Sequence, residues 1–456
     1  MLTKSKFIDF FAKESKKFLI LGIGGVSMSS IALMLQKLGY EVTGYDSTQG
    51  TFTELVEKHG ISVVYSEENI DTENLACAVY TSAIKEDSTL LTGLRERGID
   101  CIVRAEFLGE LMKRFENRIG VSGTHGKSTV SGMISSIFME ADSDPTVMIG
   151  AGLCGLEGGF RAGGTENYIF EACEYRDSFL SFSPTVSLVL NVELDHTDYF
   201  KSLEQMKQSF TSFMNIASDN DGVSIVNFDN KNAVDCAEKS QSRVFYFSAS
   251  DKSADLYADS ISFNKGRASF DVYANGEFFV SVTLSVLGEF QVSNALAAIS
   301  AAYLSGISAE VIKCALLKYV GVARRFEFRK LYNGAEIRDD YAHHPDEIRA
   351  TLNAVKNAGY RNVYVVYQPH TFTRTHDLFD DFVKAFDVCD EVVFADIYAA
   401  REKNLFGITS RDLAEATPNG KYLGGFDEIS EYYKSKLQKD DLLIIMGAGD
   451  IIKLEI

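Results

Sequence analysis

The chain is short of basic residues: 45 Lys and Arg stand against 64 Asp and Glu, for a formal charge of -19 over 456 residues. That deficit argues against duplex DNA or an anionic membrane as partner and leaves room only for a local basic pocket. No apolar run reaches bilayer-spanning length, so no membrane partner is expected. The N-terminal stretch MLTKSKFIDFFAKESKK lacks a signal-peptide core and cleavage site, which makes a cytoplasmic location the default. The cysteines, at Cys77, Cys101, Cys154, Cys173, Cys236, Cys314 and Cys389, are odd in number and form no CxxC pair. They fit reduced packing thiols rather than a disulfide framework or a zinc site. Low-complexity tracts are missing, as is any repeat period of about 20–50 residues, which excludes a solenoid.

What is present is an ordinary globular composition, 46% hydrophobic and 24% charged, in a chain long enough for two or three domains. Three segments emerge, all of α/β type. Residues 1–116 open with strand FLIL, a glycine turn, and a helix with Met28, Ile31, Ala32, Leu35 and Leu38 on one face. Strand EVTGYD follows, ending at Asp46, to make a Rossmann-like βαβ unit. Residues 117–322 begin with strand RIGVS, a glycine-rich loop, and a helix striped by Val130, Met133, Ile134, Ile137 and Phe138. Strands NYIFEAC and TVSLVLNV come next. ASFDVYANGEFFVSVTL then reads as a hairpin turning at Asn275-Gly276, an antiparallel ribbon added to the α/β domain. Residues 323–456 alternate strand and helix again, with Pro345 opening a helix, in a second Rossmann-like, doubly wound pattern.

The loop Gly123-Thr124-His125-Gly126-Lys127-Ser128-Thr129 has the parts of a phosphate cradle in a shortened form, since Val121 stands where a P-loop has its first glycine. A strand delivers it and a helix N-terminus leaves it, so free N–H groups face an anion. Lys127 would neutralise β/γ oxygens of ATP, and the Ser128 hydroxyl would ligate Mg²⁺. Mg²⁺ is favoured over zinc because Cys–His pairing is absent and a phosphate loop is present. Glu171, at the end of strand NYIFEAC, is placed to hold that ion, while Glu174 reads more as a solvated surface acid. His196, after the next strand with Asp195 and Asp198, would bind a second ion or take a proton from an amine.

The first turn, Gly22-Ile23-Gly24-Gly25-Val26-Ser27, lacks the third glycine of the dinucleotide fingerprint, and Asp46 is spaced to hold a ribose hydroxyl. On its own terms it fits NAD, another nucleotide, or a plain structural turn. Asn294 is either a helix N-cap or an adenine contact. Arg324-Arg325 can clamp phosphate or carboxylate. Asp339, Asp340, Tyr341, His343 and His344 share a strand end, and the two adjacent histidines cannot both face one site from an extended strand. His370 and Arg374 follow another strand.

Taken in order, GIGGVSMSSIA, GTHGKST, EACEYRDSF, NVELDHTDYF, NALAA, GVARRFE, DDYAHHPDEI and QPHTFTRT resemble the Mur ligases over nearly the whole chain. The first and the last two resemble the alanine-adding branch. The resemblance implies a UDP-sugar-binding domain, an ATPase domain and a C-terminal ligase domain. It implies UDP-N-acetylmuramate, L-alanine and ATP as substrates, in a monomer or homodimer without nucleic acid. Gly22, Gly24, Gly25, Val26, Ser27, Asp46 and Ser82 would take the UDP-sugar. Residues Gly123 to Thr129, with Asn294, Arg325, Asp340, Tyr341, His344 and Arg374, would take ATP. Lys127, Glu171, His196 and Arg325 would be catalytic, and Ser128, Glu171 and His196 would hold Mg²⁺. The expected chemistry is ATP-driven amide formation through an acyl phosphate, with domain closure near Glu116 and Ala323 excluding water. The alternatives are a ligase for a recycled murein peptide, a nicotinamide oxidoreductase using GIGGVS, and a nucleotide-binding protein without catalysis. Ser27 for glycine, Cys173 for an acid and Gln291 for asparagine depart from the family pattern.

Overall fold

The computed structural model describes residues 11, 15–81, 83–150, 159–196, 199–264, 266–356, 358–400 and 402–456. They fall into two compact units. One takes its described residues from 1–127, 142–150 and 156–245, the other from 128–141 and 246–456. Among the described residues no helix is long and apolar enough to cross a membrane.

The first unit holds two sets of strands. β1 (Lys17–Leu21), β2 (Glu41–Tyr45), β3 (Ser62–Val64), β4 (Leu75–Tyr80) and β5 (Cys101–Val103) form a sheet of order β3-β2-β1-β4-β5. All its pairs are parallel. The order reverses between β1 and β4, and that switch point opens a crevice at the strand ends. β1 reads KFLIL with four successive buried residues, the apolar run of a strand covered on both faces. Helix Val26–Lys37 buries eight residues from Met28 to Leu35, more than the single face its periodicity predicts.

β6 (Asn117–Ser122), β7 (Thr146–Met148), β8 (Phe160–Arg161), β9 (Asn167–Glu171), β10 (Val186–Val189) and β11 (Val223–Asn227) follow in the order β11-β10-β6-β9-β7-β8. The register of β6 with β9 and β10 is parallel, so Ser122, Glu171 and Val189 end on one edge. Phe179 stacks on Phe213 at 4.6 Å under these strands. Helix Arg104–Met112 closes on segment Tyr175–Ser181, with Gly109 as the point of closest approach.

β12 (Arg243–Ser248) runs from the last residues of the first unit into the second, where β13 (Leu256–Asn264), β14 (Arg267–Ala274) and β15 (Glu277–Leu287) make the added ribbon. Its antiparallel pairs are β13–β14 and β14–β15. Ala274 faces Glu277 across Asn275 (φ 50°) and Gly276 (φ 81°), the paired left-handed residues of a type I′ turn. Helix Lys127–Glu140 carries Val130, Met133, Ile134, Ile137 and Phe138, all at most 1% exposed. Each such side chain contributes about 1.5–3 kcal/mol of burial.

The last sheet has order β16-β17-β21-β18-β19-β20, from β16 (Glu327–Tyr332), β17 (Ala335–Asp340), β18 (Val363–Tyr367), β19 (Glu391–Ala395), β20 (Gly420–Gly424) and β21 (Leu442–Met446). Five strands are parallel as expected. The sixth is a correction to a purely parallel pattern. β16 pairs antiparallel with β17 across Asn333-Gly334. It escapes sequence reading because none of its residues is buried, so it shows no apolar alternation.

Buried thiols fit the packing role: Cys77, Cys236 and Cys389 lie inside the fold. Burial pushes the Cys236 thiol up to about 11 and the Cys389 thiol up to about 12. Cys154 lies outside the described residues.

Two glycine substitutions test the packing. A Cβ on Gly109 would lie 1.9 Å from the Ser181 carbonyl oxygen, while one on Gly93 meets nothing within 4 Å. Gly109→Ala is expected to cost about 1–3 kcal/mol. Gly93→Ala, in helix Thr89–Glu96, is expected to gain up to about 1 kcal/mol. Urea unfolding of both variants measures the difference.

Candidate active site

The first glycine turn is tied down by β2. Gly22 N–H donates to the Tyr45 carbonyl at 2.7 Å, and Gly24 N–H donates to Asp46 Oδ2 at 2.8 Å. Asp46 Oδ1 also accepts the Thr48 N–H at 3.2 Å. The Asp46 carboxylate thus braces the turn itself, where the spacing suggested a ribose contact. Gly22 has φ 80°, and a Cβ there would lie 2.7 Å from Thr81 Cγ2. Helix Val26–Lys37 starts with no side-chain cap and no acidic residue in its first turn. Those N–H groups attract an anion. Ser82 lies outside the described residues.

Sequence reasoning missed a residue here. Arg104 leaves the end of β5 and donates from Nη1 to Ser27 Oγ at 2.9 Å, 77 positions away. Burial lowers its pKa. A half-buried guanidinium whose neighbour is a hydroxyl suits an anionic ligand. The only sequence signal is an arginine immediately after a strand end.

The phosphate loop is pinned to the chain leaving β10. Thr124 N–H donates to the Asn191 carbonyl at 3.2 Å, and His125 N–H donates to Asn191 Oδ1 at 2.8 Å. Asn191 Nδ2 returns a bond to the His125 carbonyl at 3.1 Å. Thr124 Oγ1 accepts the Glu193 N–H at 2.9 Å. Gly123 (φ 142°) and Gly126 (φ 89°) supply backbone that other residues rarely adopt. A Cβ on Gly123 would lie 2.9 Å from Leu190 Cβ.

Lys127 Nζ donates to the Gly123 carbonyl at 2.5 Å, the Thr124 carbonyl at 3.2 Å and Glu174 Oε2 at 3.0 Å. Glu174 is fully buried, and its Oε1 lies 3.5 Å from His196 Nε2. Burial pushes the Glu174 carboxyl up, but His196 and Lys127 outweigh it and hold the value below the ordinary range. The same contact raises His196 against its own burial. Thus the carboxylate that the sequence suggests is solvated is the one that meets the lysine and the histidine. Glu171, expected opposite Ser128, instead accepts the Gly150 N–H at 2.8 Å. Strand direction explains this: Glu171 is the last residue of β9, and the chain needs three more residues to turn back over the loop.

That return turn is strained. Arg176 (φ 53°) and Asp177 (φ 57°) are consecutive left-handed residues without being glycine, and His196 (φ 51°) is a third. Each costs about 1–2 kcal/mol. Asp177 Oδ2 accepts the Tyr199 hydroxyl at 2.5 Å, and Asp177 Oδ1 accepts the Ser209 hydroxyl. The Tyr175 ring packs 4.8 Å from the His196 ring. Asp198 lies outside the described residues. Among the described residues no group of three or more His, Cys, Asp or Glu converges as a metal cage.

In the second unit, Ser128 and Thr129 occupy the first turn of their helix, and the Thr129 carbonyl accepts the Tyr319 hydroxyl at 3.1 Å. Asn294 is not an N-cap: its helix starts at Phe290, and Asn294 Nδ2 donates to Gln291 Oε1 at 3.0 Å. Asp340 fastens the arginine pair's turn. It accepts Phe326 N–H at 3.0 Å and Ala342 N–H at 2.7 Å. Arg324 and Arg325 lie 4.8 Å and 5.6 Å from the centre of the Tyr341 ring, and Arg325 pairs with Glu347 at 3.4 Å. The two adjacent histidines take different surroundings, as an extended strand end requires. The His343 ring lies 5.5 Å from Tyr341 and 6.1 Å from His370, whose Nδ1 is 3.3 Å from Arg374. His344 Nδ1 accepts the Asp346 N–H at the start of helix Pro345–Lys356. Burial lowers both His343 and His370, and Arg374 lowers them further.

Family models match three successive stretches: Mur ligase family, catalytic domain, over residues 17–116; Mur ligase middle domain over 121–302; and Mur ligase, glutamate ligase domain, over 324–449. The chain belongs to the Mur ligase family. It is 41% identical to the UDP-N-acetylmuramate--L-alanine ligase of Clostridium acetobutylicum, covering 96% of each chain. Identity to the protein of that name from Acetivibrio thermocellus is 43%, over 95% of this chain and 93% of the relative. The crystal structure of UDP-N-acetylmuramate-alanine ligase from Thermotoga maritima shares the fold, with TM-score 0.77, 24% identity and 96% of each chain covered. A murein peptide ligase from Psychrobacter arcticus matches with TM-score 0.67 and 23% identity, over 96% of this chain and 97% of that one.

Asp340 gives the site a pH signature. Burial raises its carboxyl from 3.8 to about 6. The folded state therefore keeps a proton that the unfolded chain loses, and this group's contribution is full below 3.8 and falls as pH rises through 6. Wild-type stability should exceed that of Asp340→Asn by up to about 3 kcal/mol more at pH 4 than at pH 6.5. Urea unfolding at both pH values provides the comparison.

Proposed function

We propose that this Mur ligase joins L-alanine to the lactyl carboxylate of UDP-N-acetylmuramate, with ATP as co-substrate. What carries the reading is 41–43% identity, over at least 93% of each chain, to ligases of that name. The site geometry supports the chemistry. The pinned loop offers N–H groups and Lys127 to a triphosphate, and the first turn offers a helix N-terminus and Arg104 to a diphosphate.

A carboxylate is a poor electrophile, so it must first be activated. A lactyl oxygen attacks the γ-phosphorus, the bond to the bridging oxygen breaks, and ADP leaves. Lys127 stabilises the charge spreading over the phosphoryl oxygens. The alanine amine then attacks the acyl carbon and expels phosphate. His196 or a neighbouring carboxylate takes the amine proton. On the first unit, Glu171 and His196 would hold Mg²⁺. One carboxylate and one imidazole, without a complete cage, fit a small ion that keeps most of its waters and binds mainly to phosphates. Mg²⁺ would add charge neutralisation to that of Lys127. Within the second unit, Arg374 beside His343 and His370 offers charge and hydrogen bonds to an anionic ligand or an amino acid.

Phosphate release is expected only when both UDP-N-acetylmuramate and L-alanine are present, with a product heavier by one alanyl residue. Mass spectrometry against a panel of amino acids and a murein peptide reads this out; turnover with the peptide alone would favour the recycling ligase. Lys127→Ala should lower kcat at least about 100-fold. Arg104→Ala should raise KM for the sugar nucleotide about 10- to 100-fold while KM for ATP stays within about twofold. Initial-rate kinetics in each substrate separate the two effects.

A further inference from the structure

We infer that Glu174 is a positioning residue of the ligase reaction, acting through Lys127 and His196, a role that rests on the ligase reading above. Three observations converge on it. Its carboxylate is fully buried, and its partners are the Lys127 ammonium, with Nζ at 3.0 Å, and the His196 imidazole, with Nε2 at 3.5 Å. A charge so placed must be paired, and here it is paired to nothing peripheral. An ammonium has three N–H donors. Two from Lys127 go to the Gly123 and Thr124 carbonyls of its own loop, and Glu174 takes the third. Glu174 therefore sets the remaining freedom of a long, flexible side chain.

The second observation is the backbone. The left-handed pair Arg176 and Asp177 folds the chain back so that Glu174 reaches the loop. Asp177 then bolts that turn to Tyr199 and Ser209. Tyr199 lies three residues after His196, and its N–H donates to the His196 carbonyl at 2.8 Å. The clamp therefore fixes the Glu174 turn relative to the histidine. The third observation is that the neighbouring carboxylates are committed elsewhere or stand farther off. Glu171 accepts the Gly150 N–H, Asp177 accepts the Tyr199 and Ser209 hydroxyls, and Asp195, which accepts the His196 N–H, lies 4.0 Å from His196 Nε2 against 3.5 Å for Glu174. One carboxylate thus holds the lysine that meets the phosphoryl group in register with the imidazole that faces the amine.

A positioning role predicts loss in kcat with little change in KM. In the full chain, Glu174→Gln is expected to lower kcat about 10- to 100-fold, leaving KM for ATP, UDP-N-acetylmuramate and L-alanine within about threefold. Glu174→Asp should restore part of the loss. Glu174→Gln combined with His196→Asn should fall no more than about threefold below the worse single variant, because both break the same unit. Calorimetric binding of a non-hydrolysable ATP analogue should be retained. A kcat above half the wild-type value, or fully multiplicative losses in the double variant, would overturn the assignment. Should Glu174→Gln fail to fold, Asp177→Asn keeps the Glu174 charge while loosening its clamp. It should lower kcat at constant KM, and an unchanged kcat there also defeats the idea. A wild type that releases no phosphate with L-alanine defeats the ligase reading instead.

Discussion

Three parallel strands, β10, β6 and β9, lie side by side and stop on the same edge, and the site depends on that arrangement. Lys127, Glu174 and His196 are separated by up to 69 positions in the chain, yet each follows one of these strands. The common edge brings the three turns together, and each turn then contributes what its strand cannot. The turn after β6 gives backbone N–H groups and an ammonium. That after β9 gives a carboxylate, and that after β10 gives an imidazole and the Asn191 amide that holds the loop. Parallel pairing makes this possible, since antiparallel neighbours would send alternate turns to opposite ends.

The two anion corners solve the problem of charge differently. At the first, the Arg104 guanidinium has the Ser27 hydroxyl for a neighbour. Its charge remains available to an incoming diphosphate. At the second, the Lys127 ammonium is already engaged by a buried acid and two carbonyls. A ligand there must exchange contacts rather than fill empty ones. The cost of holding such a carboxylate out of water is offset by the Lys127 ammonium and the His196 imidazole, and the local backbone strain by the Asp177 clamp. A reactive centre that must hold its groups in fixed relation gains from this, because rotamer freedom is removed before substrate arrives.

Much of the architecture was legible because it rests on local patterns. Apolar runs gave the buried parallel strands, the stripe from Val130 to Phe138 gave its helix, and Asn275-Gly276 gave the hairpin turn. β16 was not legible, because an exposed edge strand buries no alternating face. Within the site, residue types and strand ends pointed to Lys127, Glu171 and His196, but side-chain direction did not follow from position. Glu174 lies beyond a turn built from two left-handed residues, and no sequence rule anticipates that conformation for Arg176 and Asp177. His343 and His344 show the same limit. Which of two neighbours caps the following helix depends on how the chain leaves β17. The Asp46 spacing matched a ribose contact, yet its carboxylate serves the glycine turn. The alternative of a nicotinamide site drew on that same spacing, whereas the family match covers all three segments of the chain.

The buried thiols carry a consequence for the molecule's chemical durability. With Cys236 near 11 and Cys389 near 12, only a minute share of either is thiolate at neutral pH. Peroxides and alkylating agents act on thiolate, so these sulfurs are sheltered for as long as the surrounding core stays shut. Each becomes an ordinary, reactive cysteine once its domain opens. The protein therefore carries its own reporters of breathing, one in the central region and one in the C-terminal sheet, silent in the native state and quick to record each excursion from it.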